Sequence, residues 1–123
     1  MTLKQFEKQQ YLNIETFRKN GQGVKTPVWF VQDGEMLHIW TFAGAGKIKR
    51  IRRDGSIRVT PSTVSGEPVG AWVNAQAVAD DSDEAIHYVE KLMKKKYGFS
   101  FFLFSGLGKL RRAKTSVIKI TVS

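Results

Sequence analysis

Residues Lys25 to Arg53 read KTPVWFVQDGEMLHIWTFAGAGKIKRIRR, and this stretch decides the fold. Thr26–Gln32 is apolar on both faces, Val28 and Phe30 against Trp29 and Val31, as in a strand covered on both sides. Asp33-Gly34 supplies the pair that a two-residue hairpin loop takes. Met36–Phe42 runs back, with Leu37 and Ile39 facing one side and His38 and Trp40 the other. Ala43-Gly44-Ala45-Gly46 then strips the backbone of bulk just before Lys47, Lys49, Arg50, Arg52 and Arg53, which read as a short basic helix. A hairpin with aromatic walls that ends in bare amides and cations suits a flat ring carrying a phosphate on a tether.

Upstream, Thr2-Leu-Lys-Gln5 fits a capping box, so a short helix is predicted to about Gln10. Tyr11–Lys19 alternates as a strand, and Asn20-Gly21 signals a hairpin turn. Downstream, Asp54-Gly55 ends the basic helix and Ser56–Thr60 forms a strand. Pairing should thin at Pro61, which has no N–H to donate. Ser65–Pro68 reads as a turn, and Val69–Ala79 as a long strand with Val73, Ala75 and Ala77 on one face and Trp72, Asn74 and Gln76 on the other. Asp81-Ser-Asp-Glu84 is a second capping box. Ala85, Ile86, Val89, Leu92, Met93 and Tyr97 follow at helical spacing until Gly98 stops the helix. Lys94, Lys95 and Lys96 fall in its last turn, where cations complement the helix dipole.

Phe99–Leu110, FSFFLFSGLGKL, is too short to span a bilayer and too apolar for a free loop. It either folds over the barrel, lines a dimer interface or touches a membrane surface. Ser116–Val122 closes the chain as an alternating strand. The sum is one domain over residues 1–123, mostly β, with six strands in a small, mostly antiparallel barrel. An N-terminal helix and a helix between the last two strands complete it.

The chain has 123 residues, 41% hydrophobic and 25% charged, which places it among globular domains rather than disordered segments. It contains no cysteine, so disulfides and thiolate metal sites are excluded. The opening MTLKQFEKQQ lacks the apolar core of a signal peptide, and no apolar run approaches the ~20 residues of a membrane span. A cytoplasmic location is the expectation. The net charge of +9 favours anionic partners, which include nucleic acid, acidic lipid and phosphorylated small molecules. Most cation runs read as solvated faces. Only Lys47–Arg58 has glycines and aromatics beside it.

Gly44 and Gly46 would let backbone N–H groups approach an oxyanion at a helix start. Lys47 and Arg50 stand three apart on one helix face, within reach of a single phosphate. The same spacing also describes an ordinary glycine turn before a solvated helix. Trp29, Trp40 and Trp72 could stack on a ring, or could simply fill a small core. His38 and His87 are the only histidines, and neither sits in a nucleophile–base pattern or a metal-ligand spacing. No metal is expected, and no catalytic residue is assigned.

TPVWF, the GKIKRIRR run, the later Gly70-Ala-Trp72-Val73 and the helix ending KKKYG occur in the order found in one family. In these motifs the chain resembles the flavin-binding split barrels, the pyridoxamine 5′-phosphate oxidase-like superfamily. It is most similar to the small deazaflavin (coenzyme F420)-dependent oxidoreductase branch. The likeness covers roughly Tyr11–Gly98, with a looser match at the last strand. It implies a six-stranded antiparallel split barrel, a homodimer, and hydride transfer to or from a small molecule by a cofactor bound at the dimer interface. It also implies roles for particular residues. Lys25, Trp40, Thr41 and Lys47 fall at cofactor-contacting positions, as more loosely do Arg50 and Arg53. The backbone of Pro27, Val28 and Trp29 would recognise the ring beside Thr26, Gly46 would serve the phosphate, and Trp72, Asn74 or Gln76 would serve the partner subunit's cofactor.

Three departures bear on affinity rather than fold. Ala45 stands where relatives commonly have a serine, Asp54-Gly55-Ser56-Ile57 replaces a shorter connection, and Asn74 replaces a common acid. F420 carries an anionic polyglutamate tail, and Lys49, Arg52, Arg53 and Arg58 exceed what one phosphate needs, which favours F420 over FMN. A basic barrel that binds single-stranded nucleic acid, or a non-catalytic flavin- or haem-binding relative, is the alternative.

Overall fold

Phe30 cuts the deciding stretch in two. The computed structural model describes residues 3–101, 103 and 114–123. In it Gly23–Trp29 (β2) pairs with Tyr11–Phe17 (β1), whereas Val31–Asp33 (β3) pairs with Met36–Phe42 (β4). Tyr11↔Trp29 is the last pair of the first ladder, because β1 begins at Tyr11 and offers nothing further to pair with. The basic helix Gly46–Arg53 (α1), Ser56–Ser62 (β5), Val73–Asp80 (β6), Asp83–Tyr97 (α2) and Thr115–Val122 (β7) complete the order. The strands pair into one antiparallel sheet, β2-β1-β5-β6-β7-β4-β3. The sheet therefore has seven strands, not the predicted six.

The break explains the shape. β2 and β3 are the two edges of the sheet, yet one residue separates them in the chain. Two residue steps reach at most about 7 Å, so the sheet must curl until its edges meet at Phe30. The result is a half-barrel with a seam.

Inside the curl pack Leu12, Ile14, Leu37, Ile39, Val59, Ile118 and Ile120, and Ile48 and Ile51 of α1 close one end. A second cluster forms outside it, where Val89 and Met93 of α2 meet Val31, Trp40, Val117 and Phe101. β4 is thus covered on both faces, and both of its alternating sets are buried. β2 is not, since it lies at an edge and stays partly exposed.

Other boundaries shift for local reasons. The N-terminal helix shrinks to a 3-10 turn, Leu3–Phe6, and Lys8 adopts φ +62° just beyond it. Gln5 bonds both backbone groups of Ala71 at 2.9 Å, which holds the chain before β6 out of the ladder, so the strand starts at Val73 rather than Val69. Pairing of β5 with β6 stops at Val59, ahead of Pro61, although β5 continues against β1 to Ser62. The β3–β4 loop is Gly34-Glu35, one residue later than predicted. Gly34 takes φ +60° at the position where a type II′ turn accepts glycine. The cap of α2 is Ser82, whose hydroxyl accepts from the N–H of Ala85 at 3.3 Å, rather than Asp81. Most of the Phe99–Leu110 segment lies outside the described residues. Of it, Phe101 is fully buried beside Trp40.

Asp80 ties the start of α2 to β7. It accepts from the N–H of Ser82 at 2.9 Å and pairs with Lys119 at 3.0 Å. These hydrogen bonds, the Ser82 N–H first, lower its pKa to about 2. A carboxylate held below its ordinary value contributes stability above that value and loses it as pH falls through the folded value. We expect stability to fall between pH ~4 and ~2, and Asp80→Asn to flatten that part of the profile. Urea midpoints across this range check it, and an unchanged slope in Asp80→Asn would contradict it.

Candidate functional site

The seam leaves a cleft of about 440 Å³ between β2 and β4, at the start of α1. Thr26, Pro27, Val28 and Trp29 form one wall, and Trp40 and Thr41 the other, with Lys47 among the lining residues. Seven of the sequence-predicted positions thus converge on one space. Strand pairing is the cause: β2 and β4 approach only because the sheet curls, and α1 follows β4 after a short turn.

Among the described residues, Lys47 is the charged group that lines the cleft. It is half-buried, and burial first, then the neighbouring Arg50, pushes its ammonium below its ordinary pKa. Arg50 is lowered in turn by burial and then by Arg18. Among the described residues, no carboxylate forms an ion pair with Lys47, Arg50 or Arg18. Ala45, at the N-cap of α1, offers no side-chain oxygen to the first amides of the helix.

The glycines contribute less than their pattern suggests. Neither Gly44 nor Gly46 has a positive φ, and a Cβ at Gly44 would meet open space. At Gly46 a Cβ would come within 2.9 Å of the Arg50 guanidinium, so this glycine makes room for Arg50.

The remaining predicted residues lie off the cleft. Arg50 donates to the Thr16 hydroxyl at 2.7 Å, and Arg53 donates to the Phe17 carbonyl. Lys25 is exposed on β2, its ammonium 5.3 Å from the centre of the Trp72 ring, and Arg58 approaches the same ring at 5.0 Å. Arg58 also pairs with buried Glu15 at 2.6 Å, and Arg52 with Asp81 at 3.4 Å. The surplus of cations assigned to an anionic tail is therefore largely engaged within the chain. Lys49 stays exposed.

Sequence reasoning missed Tyr11, Phe42, Val64, Met93 and Phe101, which also line the cleft. Met93 had a signal, since its helical spacing marked it as apolar-facing, but periodicity does not say which cavity an apolar face borders. The histidines stay away. His38 is buried beside a second cavity with Asp33 and Tyr88, its imidazole pushed below its ordinary pKa chiefly by burial, and His87 is exposed on α2.

No protein-family profile and no curated protein sequence matches the chain. Solved structures do. A candidate pyridoxamine 5′-phosphate oxidase from Listeria innocua superposes with a TM-score of 0.68 at 14% identity, over 98% of this chain and 90% of that one. An F420 reductase gives 0.64 at 15% identity, over 98% and 92%. The haem storage protein HutZ from Vibrio cholerae gives 0.72 at 15% identity, over 95% and 84%. The chain has the fold of the pyridoxamine 5′-phosphate oxidase-like split barrels. Among the described residues, no helix is long and apolar enough to cross a membrane, and no group of histidines and acids could hold a metal.

Proposed function

We propose that the cleft between β2 and β4 binds a flavin-type cofactor, coenzyme F420 or FMN, and that the chain is an oxidoreductase moving hydride to or from a small molecule. Lys47 carries this reading. It is a half-buried ammonium on the wall of an aromatic cleft, with no carboxylate partner among the described residues. Burial without a counter-charge disfavours the ammonium. A phosphate would supply that counter-charge at a helix start whose first amides have no side-chain cap.

The bound cofactor would supply the reactive atom. The chain's part is to hold the phosphate on Lys47 and the first amides of α1, and to flank the ring with Trp29 and Trp40. Met93 and Phe101 keep the inner lining apolar. Haem fits this cleft less well, because no histidine lines it among the described residues. With Arg52, Arg53 and Arg58 engaged elsewhere, the choice between F420 and FMN falls to titration. The absorption spectrum of the purified protein, taken alone and again with each cofactor after gel filtration, tests the reading. A retained flavin or deazaflavin band supports it, and free passage of both cofactors contradicts it.

The working form would be a homodimer. Val69, which is 53% exposed, and half-buried Trp72 with its two cations lie away from the cleft and would meet a second copy. Light scattering at micromolar concentration should give the mass of two chains. The mass of one chain would exclude a site shared between subunits.

A further inference from the structure

The residue at the seam is held by side chains, not by a strand. Phe30 belongs to neither ladder and is fully buried, so its N–H and C=O must find partners elsewhere. The last turn of α2 provides them. The Phe30 N–H donates to the Tyr97 hydroxyl at 3.0 Å, and Lys96 Nζ donates to the Phe30 carbonyl at 2.8 Å. The Tyr97 hydroxyl lies 2.7 Å from the carbonyls of both Phe30 and Gln10. It has one proton, which it donates to one of these two carbonyls at a time, Gln10 lying just before β1. Burial pushes the phenol above its ordinary pKa, which keeps that proton in place.

The ring of Tyr97 has a second contact. It stacks on Trp29 at 4.4 Å between centroids, with the planes 5° apart. Trp29 lines the cleft, whereas Tyr97 does not. Tyr97 therefore backs the aromatic wall from outside while its hydroxyl ties the seam.

We propose that Tyr97, assisted by Lys96, is a positioning residue that closes the β2–β3 seam and fixes Trp29, and so sets how tightly the cleft grips a planar ring. The clamp stands on the contacts above. Only the identity of the ring rests on the flavin-type reading. A wall fixed before binding removes the ordering step from the ligand's affinity.

The test uses near-UV circular dichroism and FMN titration on the full chain, with Trp29→Phe defining the Trp29 contribution to the spectrum. Tyr97→Phe keeps a ring but removes the hydroxyl. It should lose most of the Trp29 signal and bind FMN roughly five- to fiftyfold more weakly, while keeping the far-UV spectrum of the unmodified chain. Lys96→Met, which keeps the apolar stem, should move both readings in the same direction by less. A Tyr97→Phe chain with the Trp29 signal intact and FMN affinity within twofold would overturn the proposal. If the unmodified chain binds neither FMN nor F420, the flavin-type reading fails, and the dichroism alone decides the clamp: a retained Trp29 signal overturns it and a lost one supports it. If Tyr97→Phe does not fold, Lys96→Met decides by the same readings.

Discussion

Lys47→Ala is expected to weaken FMN or F420 binding by roughly ten- to a hundredfold, the equivalent of one lost charge-assisted hydrogen bond at about 1.5–3 kcal/mol. The fold should survive. Lys47 is only half-buried and makes no ion pair among the described residues, and its removal relieves the repulsion from Arg50. Lys95→Ala removes the same formal charge from the exposed side of α2 and should leave affinity within about twofold, because Lys95 does not line the cleft and an exposed charge is screened by salt. Gly46→Val should cost less than Lys47→Ala, since its side chain would meet only the movable end of the Arg50 side chain, which does not line the cleft. Fluorescence titration of the three variants with both cofactors separates the possibilities. Equal losses for Lys47→Ala and Lys95→Ala would mean that net charge, not a site, attracts the ligand.

The largest effect on stability should come from Phe30→Ala. The ring is fully buried, meets Phe6 edge-on at 6.0 Å, and lies 3.7 Å beneath the Lys96 ammonium. Truncating a buried phenylalanine costs about 3–5 kcal/mol in lost burial and cavity formation. Here it would also expose the carbonyl clamp at the seam to water. Val78→Thr, on the solvent face of β6 at 62% exposure, should stay within about 0.5 kcal/mol. Urea denaturation should show a large drop in midpoint for the first variant and almost none for the second. Similar midpoints would mean that Phe30 does not hold the seam.

The sequence showed the strands but not where one of them changes partners. Val28-Trp29-Phe30-Val31 has no glycine, proline or polar residue to mark a break. The break comes from the far side of the ladder, where β1 starts at Tyr11 and leaves Trp29 as the last residue with a partner. Local patterns cannot carry that fact, and the strand count came out one short for this reason. The cleft was more legible. Thr26–Trp29, Trp40, Thr41 and Lys47 line one cleft, because their positions depend on strand order, which the motifs preserve.

The cations were the least legible part. Spacing placed Arg50, Arg52, Arg53 and Arg58 together with Lys47, but Thr16, Asp81, Phe17 and Glu15 engage them, and three of those four precede the basic run by about thirty residues or more. A charge run shows how much charge is present, not how much is already matched. Lys96 makes the same point from the other side. In the sequence it is one of three equivalent lysines at a helix end, yet in the fold it is the one bonded to the Phe30 carbonyl, and burial lowers its pKa to about 8.

The central claim is that one cleft holds a ring and its phosphate together, and FMN against riboflavin tests it most directly, since the two differ only in the phosphate. Equilibrium titration at ~150 mM salt should show FMN binding at least ten times more tightly than riboflavin, with Lys47→Ala removing most of that difference. Equal affinity for FMN and riboflavin in the unmodified chain would contradict it.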